Sequence, residues 1–358
     1  MTDLSETFPL ELEIEPLSLT DGLIALLNLQ AQIDGLEGRH TCAEAATLID
    51  LLILRGLILG RISDYERAAQ LADRQVGAAT ADAAAYMARA RTRAVFHRFA
   101  EALDDLDSAD RMSPHDTAAK RERAAIMQAQ GRFDEALSTY YAVIDGVGQF
   151  ERAAALVGLW AERGEADTAQ RFYLDSLRSY RGISPFPVAL LDFQLGVMWM
   201  RHARLAEART CFEAAIARVP AYAAAQGHLA EVEAELGNPE AALARLYPLA
   251  VSSDDPDYAA QLARILGQMG RNDESSVWRR GAADRYDELT TAHPEAFADH
   301  AAEFWLGPGN DPKKGLRFAT LNLEARKTPR ARDLLTQALN ANTAGATSAR
   351  CSGAALPN

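Results

Sequence analysis

LLDFQLGVMWMRHARLAEARTCFEAAIARVP, residues 190 to 220, decides the architecture. Gly196 and Ala208 lie twelve positions apart in this stretch, with a polar break at residues 202–204 between them and Pro220 at the end. Small residues let two antiparallel helices approach closely, a polar turn joins them, and proline stops the second helix. The stretch therefore predicts a helical hairpin.

The same arrangement recurs along the chain. Aligned segments such as SDYERAAQLA (63–72), GRFDEALSTY (131–140) and GNPEAALARL (237–246) put a small residue at Ala68, Ala102, Ala136, Ala169, Ala208, Ala242 and Ser275. Successive spacings are 34, 34, 33, 39, 34 and 33. Twelve positions before each stands Gly56, Ala90, Ala124, Val157, Gly196, Ala230 or Ala263. A period in this range marks a stacked array rather than a set of separate domains.

Residues 190–220 resemble the tetratricopeptide repeat family, with Leu195, Gly196, Trp199, Ala208, Phe212, Ala215 and Pro220 at its signature positions. The resemblance covers roughly residues 49 to 282, and a weaker eighth unit follows at 295–326. It implies an all-α fold: an α-solenoid, wound as a right-handed superhelix, of about seven to eight tetratricopeptide-like helix-turn-helix repeats. The expected organisation is an N-terminal extension (1–18), a capping helix and entry (19–48), repeats one to four (49–182) and repeats five to seven (183–294). A divergent eighth repeat with a C-terminal capping helix (295–341) and a disordered tail (342–358) complete it. SYRGISPFP (179–187), where the spacing widens to 39, reads as a hinge between the halves.

Composition agrees with helices. Aromatics are 7% of the 358 residues, β-branched residues are sparse, and Ala, Leu, Arg, Glu and Asp dominate. The longest apolar run, LIDLLILRGLIL (48–59), contains Asp50 and Arg55 and is too short to span a bilayer. Cys42, Cys211 and Cys351 are far apart, which suggests a reduced, soluble, cytoplasmic protein. The formal net charge of -13 opposes a nucleic-acid partner, because phosphates are drawn to a basic face. Membrane insertion is not expected either.

Within this frame the basic stretch ARARTRAVFHRF (88–99) separates into parts. Arg55, Arg89 and Arg123 each precede the small residue of a first helix at spacings of 34 and 34, whereas later units hold Leu156, Leu195, Leu229 and Leu262 there. A guanidinium at a packed position needs a carboxylate, and Asp104, Asp105, Asp107 and Asp110 stand on the next helix. These arginines read as structural. By the resemblance, groove-lining positions of the first helices fall at Arg61, Arg91 and Arg121, with Met87, Phe193, Val197 and Met200 as apolar contacts. Glu151, Glu162, Glu231 and Glu235 take the equivalent places further on, so the groove is expected to run from basic to acidic. The family's Lys and Asn clamp for acidic tails does not carry over, because none of Leu57, Arg91, Ala125, Gly158, Val197, Glu231 and Arg264 at the ninth positions is Asn.

No catalytic constellation emerges, and no cofactor or metal is expected. GPGNDPKKG (307–315) lacks the Gly-Lys-Ser/Thr ending of a phosphate loop, and His300 with Glu303 lacks a third ligand at metal spacing. The expectation is a non-enzymatic interaction or scaffold protein that holds a peptide or partner domain in its concave groove. The alternative is a sensor for a small anion held by Arg91 and Arg121. Self-association through PFPVALLDFQLGVMWM (185–200) or through an exposed terminal hairpin, giving a homo-oligomer, is a third reading.

Overall fold

The computed structural model describes residues 17–38, 41–78, 81–114, 116–143 and 148–352. Among the described residues there are helices and their connections, and no strand. Helix α1 (Gly22–Leu36) comes first. Eight hairpins follow: α2 (Cys42–Leu59) with α3 (Ile62–Gly77), α4 (Ala83–Val95) with α5 (Phe99–Met112), α6 (Ala118–Ala129) with α7 (Phe133–Ala142), and α8 (Gln149–Arg163) with α9 (Ala166–Ser179). Then come α10 (Phe186–Arg201) with α11 (Leu205–Arg218), α12 (Ala223–Glu235) with α13 (Pro239–Ser252), α14 (Asp257–Gln268) with α15 (Asn272–Ala292), and α16 (Pro294–Leu306) with α17 (Pro312–Ala325). Helix α18 (Pro329–Ser352) ends the array; it continues past residue 341, where the disordered tail was expected to begin, and residues 353–358 lie outside the described residues.

The recurring small residues close the hairpins. Ala68, Ala102, Ala136, Ala169, Ala208 and Ala242 are all fully buried. A Cβ on Gly196 would meet the Phe212 ring at 2.6 Å, which is why the first helix needs glycine there. In the seventh hairpin Ser275 replaces alanine, and its hydroxyl donates to the Ala263 carbonyl at 2.7 Å. The turns share one geometry. A left-handed residue stands two positions before each second helix, at Gly60, His97, Gly131, Gly164, Ala203, Gly237, Gly270 and Asn310. In the first seven turns the next residue sends its N–H to the carbonyl five positions back, as Arg61 does to Gly56 at 3.0 Å and Arg98 to Arg93 at 2.9 Å.

This geometry corrects the register of the first unit. Arg61 is equivalent to Arg98 and Arg132, so its turn falls three residues earlier than the 34-residue spacing places it. Arg55 is therefore one helical turn away from the position shared by Arg89 and Arg123. The spacing of 34 between Arg55 and Arg89 is a coincidence of sequence, not a structural rung.

Consecutive first helices pack closely side by side and consecutive second helices do not, so the array curves with its first helices inside. Contact is sparser between α6 and α8, which meet where Gln128 lies against Gly158. The curvature is tight enough for the array to meet itself. Turns of the first three hairpins dock on three successive connections of the last three, about six units further along. At the first, Ser253 Oγ donates to the Gly60 carbonyl, and Asp254 accepts from the Ile62 and Ser63 N–H groups at 2.5 and 2.9 Å. At the second, the Phe96 and His293 rings stack at 3.9 Å and His97 Nδ1 lies 3.0 Å from the Glu295 carbonyl. At the third, Lys327 N–H donates to the Gln130 carbonyl at 3.0 Å and Arg326 Nε to that of Ala129 at 3.2 Å. A Cβ at Gly131 would lie 2.6 Å from the Lys327 carbonyl, so the third contact requires glycine.

Helix α1, expected to cap the first repeat, packs on α2 of that repeat and also sits inside the closure. Its Ala25, Leu29 and Ile33 share one core with Ile49 and Leu52 of α2, Phe186 and Ala189 of α10, Ala215 of α11, and Tyr222 and Ala225 at α12. A Cβ on Gly22 would be 2.2 Å from the Arg218 carbonyl, so α1 enters at backbone contact. Burial of each large apolar side chain here is worth about 1.5–3 kcal/mol, enough to hold an otherwise marginal helix. The expected hinge is an extended link pinned at both sides: Thr20 N–H donates to the Ile183 carbonyl at 2.8 Å and the Tyr180 hydroxyl to that of Ser184 at 2.7 Å. The apolar run 185–200 packs mainly inward. As α10 it buries Phe186, Val188, Leu191, Leu195, Met198 and Trp199 within its own chain, so most of its large side chains serve the core.

Candidate ligand-binding face

The arginines of the front hairpins are held by carboxylates. Arg89 makes a two-pronged pair with Asp105 at 3.0 and 2.7 Å, and Arg93 reaches the same carboxylate at 2.5 Å. Arg123 takes Asp107 at 2.6 Å and Asp110 at 3.4 Å. Arg55, buried with Asp64, bonds it at 2.8 and 2.5 Å and also Gln30 at 2.7 Å. These bonds hold the Arg55 and Arg89 guanidiniums above their ordinary range against the opposing effect of burial. The structural reading of the three arginines stands on these pairs.

The residues assigned to a groove are distributed differently. Arg61 is in the α2–α3 turn, because of the register shift, and not on the inner face. Met87 is 7% exposed and packs in the core of α4, α5 and α6, so it is a packing residue. Arg91 does face inward, but Asp50 holds it at 2.8 Å through both carboxylate oxygens and Glu122 at 2.8 Å; it clamps three first helices together. Phe193, Val197 and Met200 are half-buried against the central cores, Phe193 within an aromatic group with Phe212, Tyr222 and His228. The closing α1 and α2 take the space a groove ligand would need there. Glu231 lies between His228 at 3.6 Å and Arg264 at 3.5 Å. The expected charge is thus cancelled locally at Arg91 and Glu231, whereas Glu151 and Glu235 are exposed and pair with no guanidinium among the described residues. Glu162 is an inward carboxylate with Oε2 buried and without a hydrogen-bond partner.

Arg121 is different. It is exposed and forms no ion pair among the described residues, as is also true of Arg152. Both line a cavity of about 240 Å³ that opens where contact between α6 and α8 is sparse. Its walls are otherwise Ala125, Ala155, Leu156, Tyr140 and Val143, with Tyr141 and the carboxylates of Glu122 and Glu151 also lining it. Arg152, Tyr140 and the gap itself were not legible in the sequence; only the sparser contact between α6 and α8 produces them.

A second inward cluster joins α14 and α16. Asp257 lies 3.8 Å from His300 Nδ1 and accepts from Gln261 at 2.7 Å. Despite the opposing effect of burial, His300 and Gln261 bring Asp257 down to about 2, while Asp299 and Asp257 raise His300 to about 10. Burial, reinforced by Asp257, pushes Asp255 up to about 6. His97 and His293 are turn residues, and both serve the closure. No group of three or more His, Cys, Asp or Glu among the described residues is placed to hold a metal ion.

The fold and this inner face define an all-α solenoid of tetratricopeptide-like hairpins closed upon itself. No family model matches the chain, and no curated protein matches it in sequence. Solved structures do resemble it. A human IFIT1 dimer with PPP-AAAA superposes with a TM-score of 0.53 at 15% identity, over 87% of this chain and 73% of that one. A monomeric IFIT1 mutant with Gppp-AAAA gives 0.53 at 14%, over 89% of this chain and 78% of that one. A tetratricopeptide repeat protein from Parabacteroides merdae gives 0.42 at 14%, over 75% and 99%. At these identities the likeness is one of fold. No helix among the described residues is long and apolar enough to cross a membrane.

Proposed function

We propose that the protein is a non-enzymatic interaction scaffold that takes an acidic, apolar-tipped segment of a partner protein into the opening between α6 and α8. The observation that carries this reading is the pair Arg121 and Arg152, two guanidiniums that form no ion pair among the described residues, beside a largely apolar cavity that Glu122, itself engaged by Arg91, and Glu151 also line. An apolar side chain fills such a cavity while a neighbouring carboxylate meets the arginines, so the segment gains both burial and charge-assisted hydrogen bonds. Arg91 and Glu231, elsewhere on the inner face, are already engaged in internal ion pairs, which favours recognition at this opening. A reducing, cytoplasmic setting accompanies the proposal, supported by Cys211 as a buried free thiol.

The alternative is a small anionic ligand at the same two arginines. It draws support from the IFIT1 structures with PPP-AAAA, although the net charge of -13 opposes a long nucleic acid. Affinity purification with the wild type and with Arg121→Glu/Arg152→Glu decides between them. The scaffold reading expects a partner protein that the double variant loses while it melts at the wild-type temperature. Retention of every partner contradicts it, and loss of an oligonucleotide or nucleotide alone favours the alternative.

A further inference from the structure

We propose that the opening between α6 and α8 takes residues 8–16 of this same chain, a tethered ligand that a partner's segment must displace. The inference deepens the scaffold reading and rests on it for the displacement. Residues 8–16 lie outside the described residues; the described chain leads from them toward the opening, and their sequence fits it.

Direction comes first. Followed backward from α1, the chain crosses successive hairpin connections along one edge of the array. A Cβ on Gly22 would lie 2.9 Å from Pro220, in the connection between α11 and α12. Thr20 N–H donates to the Ile183 carbonyl at 2.8 Å, in the connection between α9 and α10. Leu17 then packs against the core that α8 also joins through Phe150 and Ala154. The next connection in this order joins α7 to α8, and Tyr140, Val143 and Arg152 on its flanks line the opening. Packed neighbouring helices lie about 8–10 Å apart, a step that three extended residues cover. Nine residues span about 30 Å when extended, so residues 8–16 reach the opening with chain to spare.

Chemical fit is the second observation. FPLELEIEP (8–16) alternates Leu10, Leu12 and Ile14 with Glu11, Glu13 and Glu15, and residues 1–16 contain no Lys or Arg. An extended chain of this pattern shows apolar side chains on one face and carboxylates on the other. The opening matches both faces, with about 240 Å³ lined by Ala125, Tyr140, Ala155 and Leu156, and with Arg121 and Arg152 exposed beside it. The acidic residues already there do not use up these arginines. Arg91 holds Glu122 at 2.8 Å, and Glu151 folds its carboxylate back over Gly148 at the start of α8. Because Leu17 and Thr20 are anchored nearby, the tether is short. A short tether sets an effective concentration in the mM range, so even a weak segment competes with a partner supplied in trans.

The test uses the full chain with Leu12 replaced by the photo-crosslinker p-benzoylphenylalanine, and maps the crosslinks of the monomer by mass spectrometry. They are expected at the walls of the opening, on α6, α7 or the start of α8. Arg121→Glu/Arg152→Glu should lose them, and adding Glu11→Lys/Glu13→Lys/Glu15→Lys to that chain should restore them. A fluorescent FPLELEIEP peptide gives an independent readout. It should bind the chain carrying only the three Glu→Lys changes on the order of tenfold more tightly than the wild type, because the tethered competitor is gone. Crosslinks elsewhere, crosslinks only between two chains, or equal peptide affinity for the two proteins would overturn the proposal. Those results leave the scaffold reading to its own test. Retention of every partner by Arg121→Glu/Arg152→Glu, with wild-type crosslinks still at the opening, would instead strike the scaffold reading and the displacement and uphold the docking.

Discussion

Asp254 caps a helix that begins 192 residues before it. Its carboxylate accepts from Ile62 at 2.5 Å and from Ser63 at 2.9 Å, the first amides of α3, whose own preceding residue Arg61 makes no side-chain cap bond. A carboxylate at a helix N-terminus satisfies orphan donors and meets the positive end of the helix dipole. Here the cap comes from the opposite end of the array, so helix capping and closure are one interaction.

Asp254→Ala should accordingly cost about 1 kcal/mol of stability, as the loss of a local cap does. Its effect should also appear at a distance, as faster hydrogen exchange both at the start of α3 and around Ser253. Faster exchange at only one of the two places would show that the contact does not form in solution.

Asp105 holds two arginines at once, with its side chain 3% exposed. Asp105→Ala leaves both guanidiniums without it and should cost about 2–3 kcal/mol. Arg89→Leu leaves the Arg93 pair in place, and a smaller loss of about 1 kcal/mol is expected. Chemical denaturation of both variants checks the order; a larger loss for Arg89→Leu would mean that the carboxylate is not the shared anchor.

Much of this architecture was legible before any coordinates. The hairpins declare themselves because close helix approach tolerates only small residues, and that demand repeats at Ala102, Ala136, Ala169, Ala208 and Ala242. Arg89 and Arg123 were readable as structural because a charge at a packed position implies a partner nearby in sequence. The closure was not readable. Its contacts use backbone carbonyls of turns, at Gly60, Ala129 and Gln130, and partners nearly two hundred residues away, neither of which leaves a periodic trace. Arg61 was misplaced for a related reason: a first turn that falls three residues early was masked by an accidental 34-residue spacing. Groove assignments at Phe193, Val197 and Met200 presumed an open solenoid, and α1 with α2 occupies that space.

His300 makes stability depend on pH in a defined direction. Its folded-state value near 10 is raised above the ordinary 6.5, so its contribution is fully present below about 6.5 and is lost as pH rises toward 10. Melting temperature should fall across that window in the wild type and fall less in His300→Gln. Because the side chain keeps 41% of its surface open, the loss on substitution at pH 6 should be on the order of 1 kcal/mol. Parallel profiles for the two proteins would remove His300 from the account.

Ala155 lies on the wall of the α6–α8 cavity. Ala155→Trp should fill that space with little change in melting temperature, since the cavity is open to solvent, and should reduce capture of the partner at least tenfold by occupying its anchor site. Undiminished capture in a binding assay would place recognition elsewhere.

Closure of the array upon itself is the central claim, and small-angle X-ray scattering of the full chain tests it most directly. A compact 358-residue protein has a radius of gyration of about 21 Å. The closed solenoid should lie within a few ångströms of that value, whereas a substantially larger radius, with the elongated profile of an open superhelix, would contradict it.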